Sequence, residues 1–301
     1  SSPATLFFNI NPTGGGSAYS YQWQVSADSI TFNNITGAIS NSNSPSSLTA
    51  DRFYRSIVTS NFGCGNDTSN IISVNVYDPF VPASLGYSDS VCFGFAADTL
   101  SIDILPTGGN GNYSYQWLSS SNASTWTAIA GQTQSTYIPG ILSNTNFFRL
   151  VSSSGQSCGS DSSNIVKKTL LPALVKASID SSQSICYNTS PNTLFRTAAA
   201  SGADGNFSYI WQSSANGTSW SNITGQTGTS FNPPSLTSST YYRLLATSTF
   251  GCGAIASDSV FIEVFPQINA GSIDSSQNIC FNSSPATLFF NINPTGGGSA
   301  Y

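Results

Sequence analysis

The chain has 301 residues, of which 39% are hydrophobic and 12% aromatic, enough to form sizeable cores, whereas only 7% are charged. Eight Lys and Arg residues, thirteen Asp and Glu residues and a net charge of −5 exclude a basic surface that binds nucleic acid. The sequence contains no apolar run of membrane-spanning length, so we expect no direct membrane insertion. It contains no Met and opens on Ser1-Ser2-Pro3, so we expect a window cut from a longer precursor.

The sequence repeats with a period of 94 residues, and such a period determines the architecture. In addition, residues 1–19 recur unchanged as residues 283–301, three periods later. We therefore predict four units in a longer array: repeat 1 (1–82, with its N-terminal part missing), repeat 2 (83–176), repeat 3 (177–270) and the start of a further repeat (271–301). The residues that carry the period are Trp23, Trp117 and Trp211; Arg55, Arg149 and Arg243; Cys64, Cys158 and Cys252; and Cys92, Cys186 and Cys280.

The first clear element of each repeat is a glycine-rich turn, which is Gly202–Gly205 in repeat 3. After this turn, Phe207, Tyr209 and Trp211 alternate with other residues, so they lie on one face of a predicted strand. The same alternation follows the turns of repeats 1 and 2. We expect this aromatic face to form the core of each repeat.

The later elements of repeat 3 are also typical of strands. A second strand is predicted at 218–223, a proline-containing edge segment at 231–234, and two further strands at 241–245 and 260–264. In repeat 2, Lys168 takes the inward position that Ile262 holds in repeat 3, which predicts either a frayed strand end or a lysine stem that reaches the rim. The fold class predicted is all-β: tandem immunoglobulin-like β-sandwich domains of about seven strands each, in a linear head-to-tail array.

The cysteine spacing alternates between 66 and 28 residues. We predict disulfides across the longer spacing, because pairing across 28 would require the last strand and a linker to double back to within about 7 Å. Free buried thiols are the alternative, but six periodic cysteines favour an oxidising compartment. The predicted pairs are Cys92–Cys158 and Cys186–Cys252, with Cys64 and Cys280 pairing outside the window.

The composition argues against a metal site and against common types of catalysis. With no histidine in the chain, the usual zinc ligand sets and the Ser-His-Asp and Cys-His arrangements are excluded. The thirteen carboxylates form no convergent pair that recurs in all three repeats, so a glycosidase site is disfavoured, and no calcium-binding loop is present. We therefore expect no enzyme activity, no cofactor and no metal.

The periodic arginines and the second tryptophans of repeats 2 and 3 are the remaining candidates for a binding site. We favour a structural role, in which Arg149 and Arg243 stack on aromatic side chains such as Trp126 and Trp220 on the outer face of a sheet. The alternative is a glycan-stacking platform formed by these same four residues.

Several strings of the sequence resemble the immunoglobulin-like repeats of very large surface adhesins of Bacteroidetes, including gliding-motility adhesins. The resemblance covers every repeat and implies type IX secretion, an extracellular cell-surface location and an adhesive or filamentous role. The strings are 185–191 (ICYNTSP), 208–214 (SYIWQSS), 218–220, 223–225, 240–243 (TYYR) and 252–253, and in repeat 2 the strings 113–117 (YSYQW) and 147–149 (FFR).

The resemblance also implies candidate modification sites. Similar proteins carry O-glycans at Asp-Ser/Thr-aliphatic sites, and four such tripeptides occur in this chain. Chance matches in a chain rich in Ser and Thr are the alternative interpretation. The candidate acceptors are Ser29, Ser90, Thr99 and Ser259.

The function predicted is a non-catalytic stalk or filament of a secreted bacterial adhesin. Proline-containing linkers at 79–84, 172–177 and 266–270 favour stiff stacking of neighbouring repeats of the same chain. Polysaccharide and other surface filaments are the expected external partners. An array of carbohydrate-binding modules and a subunit of a self-assembling sheath or fibre are the alternatives.

Overall fold

The computed structural model describes residues 3–298, and these residues form tandem β-sandwiches of the immunoglobulin-like type. Within this range, the one helical element is a 3-10 turn at Gly155–Ser157, and no helix is long and apolar enough to cross a membrane. Residues 1–2 and 299–301, which the predicted first and last units include, lie outside the described residues. The predicted unit boundaries at 82/83, 176/177 and 270/271 stay predictions.

Repeat 1 contains one five-stranded sheet, in which β3, β2, β5 and β6 lie in that order and β7 also pairs with β5, and a separate β1-β4 pair. The strands are β1 (Leu6–Phe7), β2 (Tyr19–Ser26), β3 (Asn33–Asn34), β4 (Ser42–Asn43), β5 (Arg52–Ser60), β6 (Asn66–Thr68) and β7 (Ile72–Val74).

Repeat 2 places a sheet of order β13-β12-β16-β18-β9, with β17 on β16, over a sheet of order β14-β11-β8, and β10 pairs with β15. The strands are β8 (Ser84–Leu85), β9 (Asp89–Val91), β10 (Ala96–Ala97), β11 (Leu100–Ile104), β12 (Tyr113–Ser120), β13 (Thr127–Ala128), β14 (Thr136–Tyr137), β15 (Gly140–Ile141), β16 (Asn146–Ser154), β17 (Ser160–Ser162) and β18 (Val166–Leu170).

Repeat 3 has the same plan, with a sheet of order β20-β27-β25-β22-β23, with β26 on β25, over a sheet of order β19-β21-β24. Its strands are β19 (Ser178–Ile179), β20 (Gln183–Ile185), β21 (Leu194–Ala198), β22 (Phe207–Ser214), β23 (Ser221–Asn222), β24 (Ser230–Phe231), β25 (Thr240–Ser248), β26 (Ala254–Ala256) and β27 (Val260–Val264). The C-terminal segment (residues 271–298) contributes the pair β28 (Ser272–Ile273) and β29 (Phe290–Ile292).

The aromatic face predicted for each repeat is the core face. Trp211 and Leu244 are fully buried and lie opposite each other on β22 and β25, where they pack with Phe231 of the second sheet. The indole N–H of Trp211 donates to the Gly228 carbonyl at 3.2 Å, so the buried ring leaves no polar atom unpaired. Phe207, which the same pattern places on this face, is partly buried against this cluster.

Two sequence predictions for the strands need correction. The strand predicted at 218–223 is only the two residues of β23, because the Asn216 side chain accepts hydrogen bonds from the backbone N–H groups of Thr218 and Ser219 and closes a turn there.

The strand end at Lys168 is not frayed and the lysine does not reach the rim. Lys168 lies in β18, is only 3% exposed, and its Nζ is 2.6 Å from Asp89 Oδ2 on β9. A buried ion pair therefore replaces the apolar contact of repeat 3.

Candidate functional site at the junctions between repeats

The cysteines lie at the two opposite ends of each repeat. The turn cysteines, Cys64, Cys158 and Cys252, follow β5, β16 and β25, in a turn at the N-terminal end of the repeat. The strand cysteines, Cys92 and Cys186, follow β9 and β20 at the C-terminal end, and Cys280 holds the same period position in the C-terminal segment.

One disulfide joins repeat 2 to repeat 3. It links strand cysteine Cys92 to turn cysteine Cys252, with 5.3 Å between their Cα atoms. The predicted pairs Cys92–Cys158 and Cys186–Cys252 are therefore wrong, although Cys92 and Cys252 do belong to a disulfide. Among the described residues, Cys64, Cys158, Cys186 and Cys280 are free thiols, and the pairing of Cys64 and Cys280 outside the window stays a prediction.

The direction of one short strand explains this error. In repeat 3, β20 runs parallel to β27, so Cys186 emerges beside the end of the last strand, at the C-terminal end of the repeat. Cys252 lies beyond the far end of β25, which is antiparallel to β27, so the length of the sheet separates the two cysteines. At about 3.4 Å per residue, the nine residues of β25 span roughly 30 Å, far more than a disulfide bridges.

The sequence did contain a signal for the observed pairing. Cys92 and Cys252 are 160 residues apart, which is one 94-residue period plus the 66-residue spacing within a repeat. A pairing between neighbouring repeats satisfies the period as well as a pairing within a repeat does. To choose between these two pairings, one must know at which end of the repeat each cysteine lies.

Backbone contacts also fix each junction. The chain that leaves repeat 2 is held by the glycine-rich turn of repeat 3, where the Ala203 N–H donates to the Pro172 carbonyl at 2.9 Å. The Gly109 N–H donates in the same way to the Asp78 carbonyl at 2.8 Å at the junction of repeats 1 and 2. Gly202 has a φ of +93°, and a Cβ there would lie 2.0 Å from the Ala173 carbonyl oxygen. The turn therefore requires glycine, because the linker passes directly against it.

A second recurring arrangement lies on the outer face of the sheet in each repeat. The guanidinium carbon of Arg149 is 4.4 Å from the Trp126 ring centroid, and that of Arg243 is 4.2 Å from the Trp220 ring centroid. Arg243 Nε also donates to Gln212 Oε1 at 2.6 Å. Burial lowers the pKa of Arg243 from its ordinary value, but an arginine stays charged at neutral pH.

This geometry agrees with the structural role favoured for the arginines. Each guanidinium covers one face of a half-buried indole ring, as in a cation–π contact. The glycan-stacking role of Trp126, Trp220, Arg149 and Arg243 stays a prediction, and it would use the remaining exposed part of each ring.

Comparison with protein-family models shows what the repeats are. The family described as "Domain of unknown function (DUF8696)" matches residues 1–78, 81–172 and 175–266. The chain belongs to this family. Comparison with curated proteins gives no match.

The DUF8696 repeats are also similar to solved structures of tandem domains. Three N-terminal domains of the bacteriophage RB49 outer capsid protein Hoc share 12% identity, with a TM-score of 0.39, over 82% of this chain and 88% of that one. Extracellular domains 3–5 of Drosophila OTK share 11% identity, with a TM-score of 0.34, over 87% and 91% of the two chains. Domains A168–A170 of titin share 16% identity, with a TM-score of 0.36, over 86% and 97%.

The four candidate O-glycan acceptors occupy different positions in the DUF8696 repeats. Thr99 and Ser259 are exposed, whereas Ser29 and Ser90 are half-buried, in a turn and in β9 respectively. All four stay predictions, and exposure makes Thr99 and Ser259 the more accessible of them. Within residues 3–298, no three or more Cys, Asp or Glu side chains form a group that could hold a metal ion.

Proposed function

We propose that this chain is a load-bearing stalk or filament segment of a secreted bacterial cell-surface adhesin and that it is non-catalytic. The observation that carries the proposal is the disulfide between Cys92 and Cys252, which crosses the junction of two repeats. A bond at this place adds nothing to a catalytic pocket, but it fixes how one repeat is stacked on the next.

The position of the disulfide also determines which residues bear a load. When the two ends of the chain are pulled, the force passes from Cys92 through the disulfide to Cys252. The residues between them include β10 to β25, which form most of repeats 2 and 3. These strands are therefore protected from extension while the bond is intact.

The cellular location belongs to the same proposal. Disulfides persist in oxidising environments outside the cytosol, and a nearly uncharged surface rich in hydroxyl groups suits packing against polysaccharide or other filaments. The resemblance to Bacteroidetes adhesins supports type IX secretion and a part in gliding motility. We expect protease treatment of intact producing cells to remove the protein, and inactivation of type IX secretion to abolish its surface exposure.

Single-molecule force spectroscopy tests the load-bearing role. The contour length of the unfolded chain should be about 560 Å greater when the disulfide is reduced than when it is intact. Reduction releases the 160 residues between the two cysteines, at about 3.5 Å per residue. The Cys64→Ser variant is the matched control and should behave as the unmodified chain. Equal contour lengths with and without reductant would show that the bond carries no load.

A further inference from the structure

Repeat 2 contains a buried lysine–aspartate pair at a place where repeat 3 has no charged residue. Lys168 on β18 lies directly opposite Asp89 on the parallel strand β9, and its Nζ is 2.6 Å from Asp89 Oδ2. The period equivalents of these residues in repeat 3 are Ile262 and Gln183, which are also cross-strand partners. The fold therefore forms without an ion pair at this position.

The pair is held largely away from water. The Lys168 side chain is only 4% exposed, and the Asp89 side chain is 26% exposed. Asp89 Oδ1 is buried and accepts no hydrogen bond among the described residues. Two opposite charges are costly to keep at such a place, because water does not solvate them fully.

A cavity of about 220 Å³ adjoins the pair, and its lining includes Asp89, Lys168 and a second carboxylate, Asp98. In repeat 3 the corresponding positions are in contact, because the Gln183 side chain bonds the Asn192 backbone at 3.3 and 2.8 Å. Gln183 and Asn192 are the period equivalents of Asp89 and Asp98. One amine and two carboxylates therefore share this cavity.

We propose that Lys168 and Asp89 form an intramolecular isopeptide bond, which is an amide between Lys168 Nζ and Asp89 Cγ. A nitrogen in hydrogen-bond contact with a carboxyl oxygen is also close to the carboxyl carbon, as the attack requires. The two parallel strands hold both groups in register, and such placement raises their effective concentration by several orders of magnitude. The bond replaces two buried charges by one neutral amide. The inference does not rest on the stalk role.

The reaction is a condensation that needs no oxidant, reductant or cofactor. One proton passes from the Lys168 ammonium group to the Asp89 carboxylate, which leaves a neutral amine beside a carboxylic acid. The nitrogen lone pair attacks Cγ, so that the C–N bond forms and one C–O bond breaks. The departing oxygen takes the acid proton and one further proton from the nitrogen, and it leaves as water. The product is an amide with one N–H.

Asp98 provides the second carboxylate of this cavity, and the residue is exposed. It transfers the proton from the attacking nitrogen to the departing oxygen, as a general acid and base does. A cavity of this volume has room for water, which carries protons between groups that do not touch. Repeat 3 has Asn192 at this position, which has no titratable group.

Lys176 and Asp258 provide an internal comparison. Their ion pair is equally short, with 2.6 Å between Nζ and each carboxylate oxygen, but the two side chains are 49% and 84% exposed. Water solvates both charges there, so nothing favours the neutral amine that the attack requires. This second pair should stay an ion pair.

Intact mass spectrometry of the full chain tests the proposal. After denaturation and reduction of the disulfide, the unmodified chain should be lighter than its sequence mass by one water molecule. Peptide mapping should locate this loss in a branched peptide that joins the segment containing Asp89 to the segment containing Lys168. Lys176 and Asp258 should be found in linear peptides.

The matched control carries the residues of repeat 3. Lys168→Ile combined with Asp89→Gln should fold, as the same pair does in repeat 3, and should show the full sequence mass. Before reduction, the presence of the Cys92–Cys252 bond shows that repeats 2 and 3 are folded. An unmodified chain that contains this disulfide but has the full sequence mass would overturn the proposal, as would a loss of water confined to a linear peptide.

The role of Asp98 is tested by the rate of bond formation. The full chain is made by cell-free synthesis, translation is stopped, and the lighter species is followed with time. Asp98→Asn, which introduces the residue of repeat 3, should slow its appearance at least about 100-fold. Equal rates in the two chains would exclude proton transfer through Asp98.

Force spectroscopy separates this inference from the load-bearing role of the disulfide. With the amide bond formed, reduction should lengthen the unfolded chain by about 280 Å, rather than the roughly 560 Å expected from the disulfide alone. The reason is that the amide keeps about 80 of the released residues out of the load path, at about 3.5 Å each. The double variant should show the larger gain. The larger gain in both chains would overturn the amide bond, whereas no gain in either chain would contradict the load-bearing role alone.

Discussion

Repeats 1 and 3 share the same tryptophan, arginine and cysteine positions, but they differ at the centre of the sheet. In repeat 3, Trp211 lies opposite Leu244, and both are fully buried. In repeat 1, Trp23 lies opposite Ser56, whose buried hydroxyl has no hydrogen-bond partner among the described residues. The period therefore preserves the framework, whereas the residue opposite the core tryptophan is Leu in repeats 2 and 3 and Ser in repeat 1.

The two repeats also differ at the turn that carries the cysteine. Cys252 of repeat 3 forms a disulfide with Cys92 of repeat 2, whereas Cys64 of repeat 1 is a free thiol among the described residues. The disulfide therefore couples repeat 3 to repeat 2 in addition to the contacts within each repeat. Repeat 3 should accordingly be more stable than repeat 1, and the following predictions test this difference.

The largest expected effect is in the core. Leu244→Ala should destabilise repeat 3 by about 2–5 kcal/mol, because it removes a fully buried side chain from against Trp211. The matched change Ser56→Ala should leave repeat 1 as stable or make it more stable, since it removes an unpartnered buried hydroxyl. Hydrogen exchange in increasing urea, followed by mass spectrometry of peptides from each repeat, measures both. Equal losses in the two repeats would contradict the difference in packing.

The next effect concerns the junction. Replacing both Cys92 and Cys252 by Ser should lower the free energy of unfolding of repeats 2 and 3 by about 2–4 kcal/mol. Cys64→Ser should change nothing in the monomer, because Cys64 is an exposed free thiol. Scanning calorimetry of the three chains provides the comparison, and reductant should shift the unmodified chain to the transition of the double variant. A double variant that melts like the unmodified chain would mean that the bond does not couple the repeats.

The smallest effect is a pH dependence confined to one loop. Backbone N–H groups of Thr31 and Ile30, together with the Ser26 hydroxyl, hold the pKa of Asp28 at about 2, below its usual 3.8. Because the folded pKa is the lower one, the stabilisation is complete above the unfolded pKa and is lost as the pH falls from about 4 towards 2. Repeat 3 has Asn216 at this position, which makes the same turn without a titrating group.

NMR titration from pH 5 to pH 2 checks this difference. The amide signals of Ile30 and Thr31 should move with a midpoint near pH 2, whereas those of Thr218 and Ser219 should stay constant. Asp28→Asn should abolish the movement in repeat 1. A midpoint near 3.8 would show that the three hydrogen bonds do not hold the carboxylate.

The sequence by itself determined the period, the all-β class and the aromatic core face, because alternation along a strand is a local property that the residues display directly. It also indicated the arginine stacking, since Arg243 and Trp220 recur together in every copy apart from Phe32 in repeat 1. The ion pair of Lys168 with Asp89 was not predicted, because its partner is 79 residues away on a parallel strand.

Only the tertiary structure decided which cysteines meet. Spacing gives distances along the chain, but a disulfide depends on distance in space, and here a three-residue parallel strand carries Cys186 to the opposite end of its repeat. Pairing between distant strands is a property of the folded chain, and the local pattern of residues does not specify it.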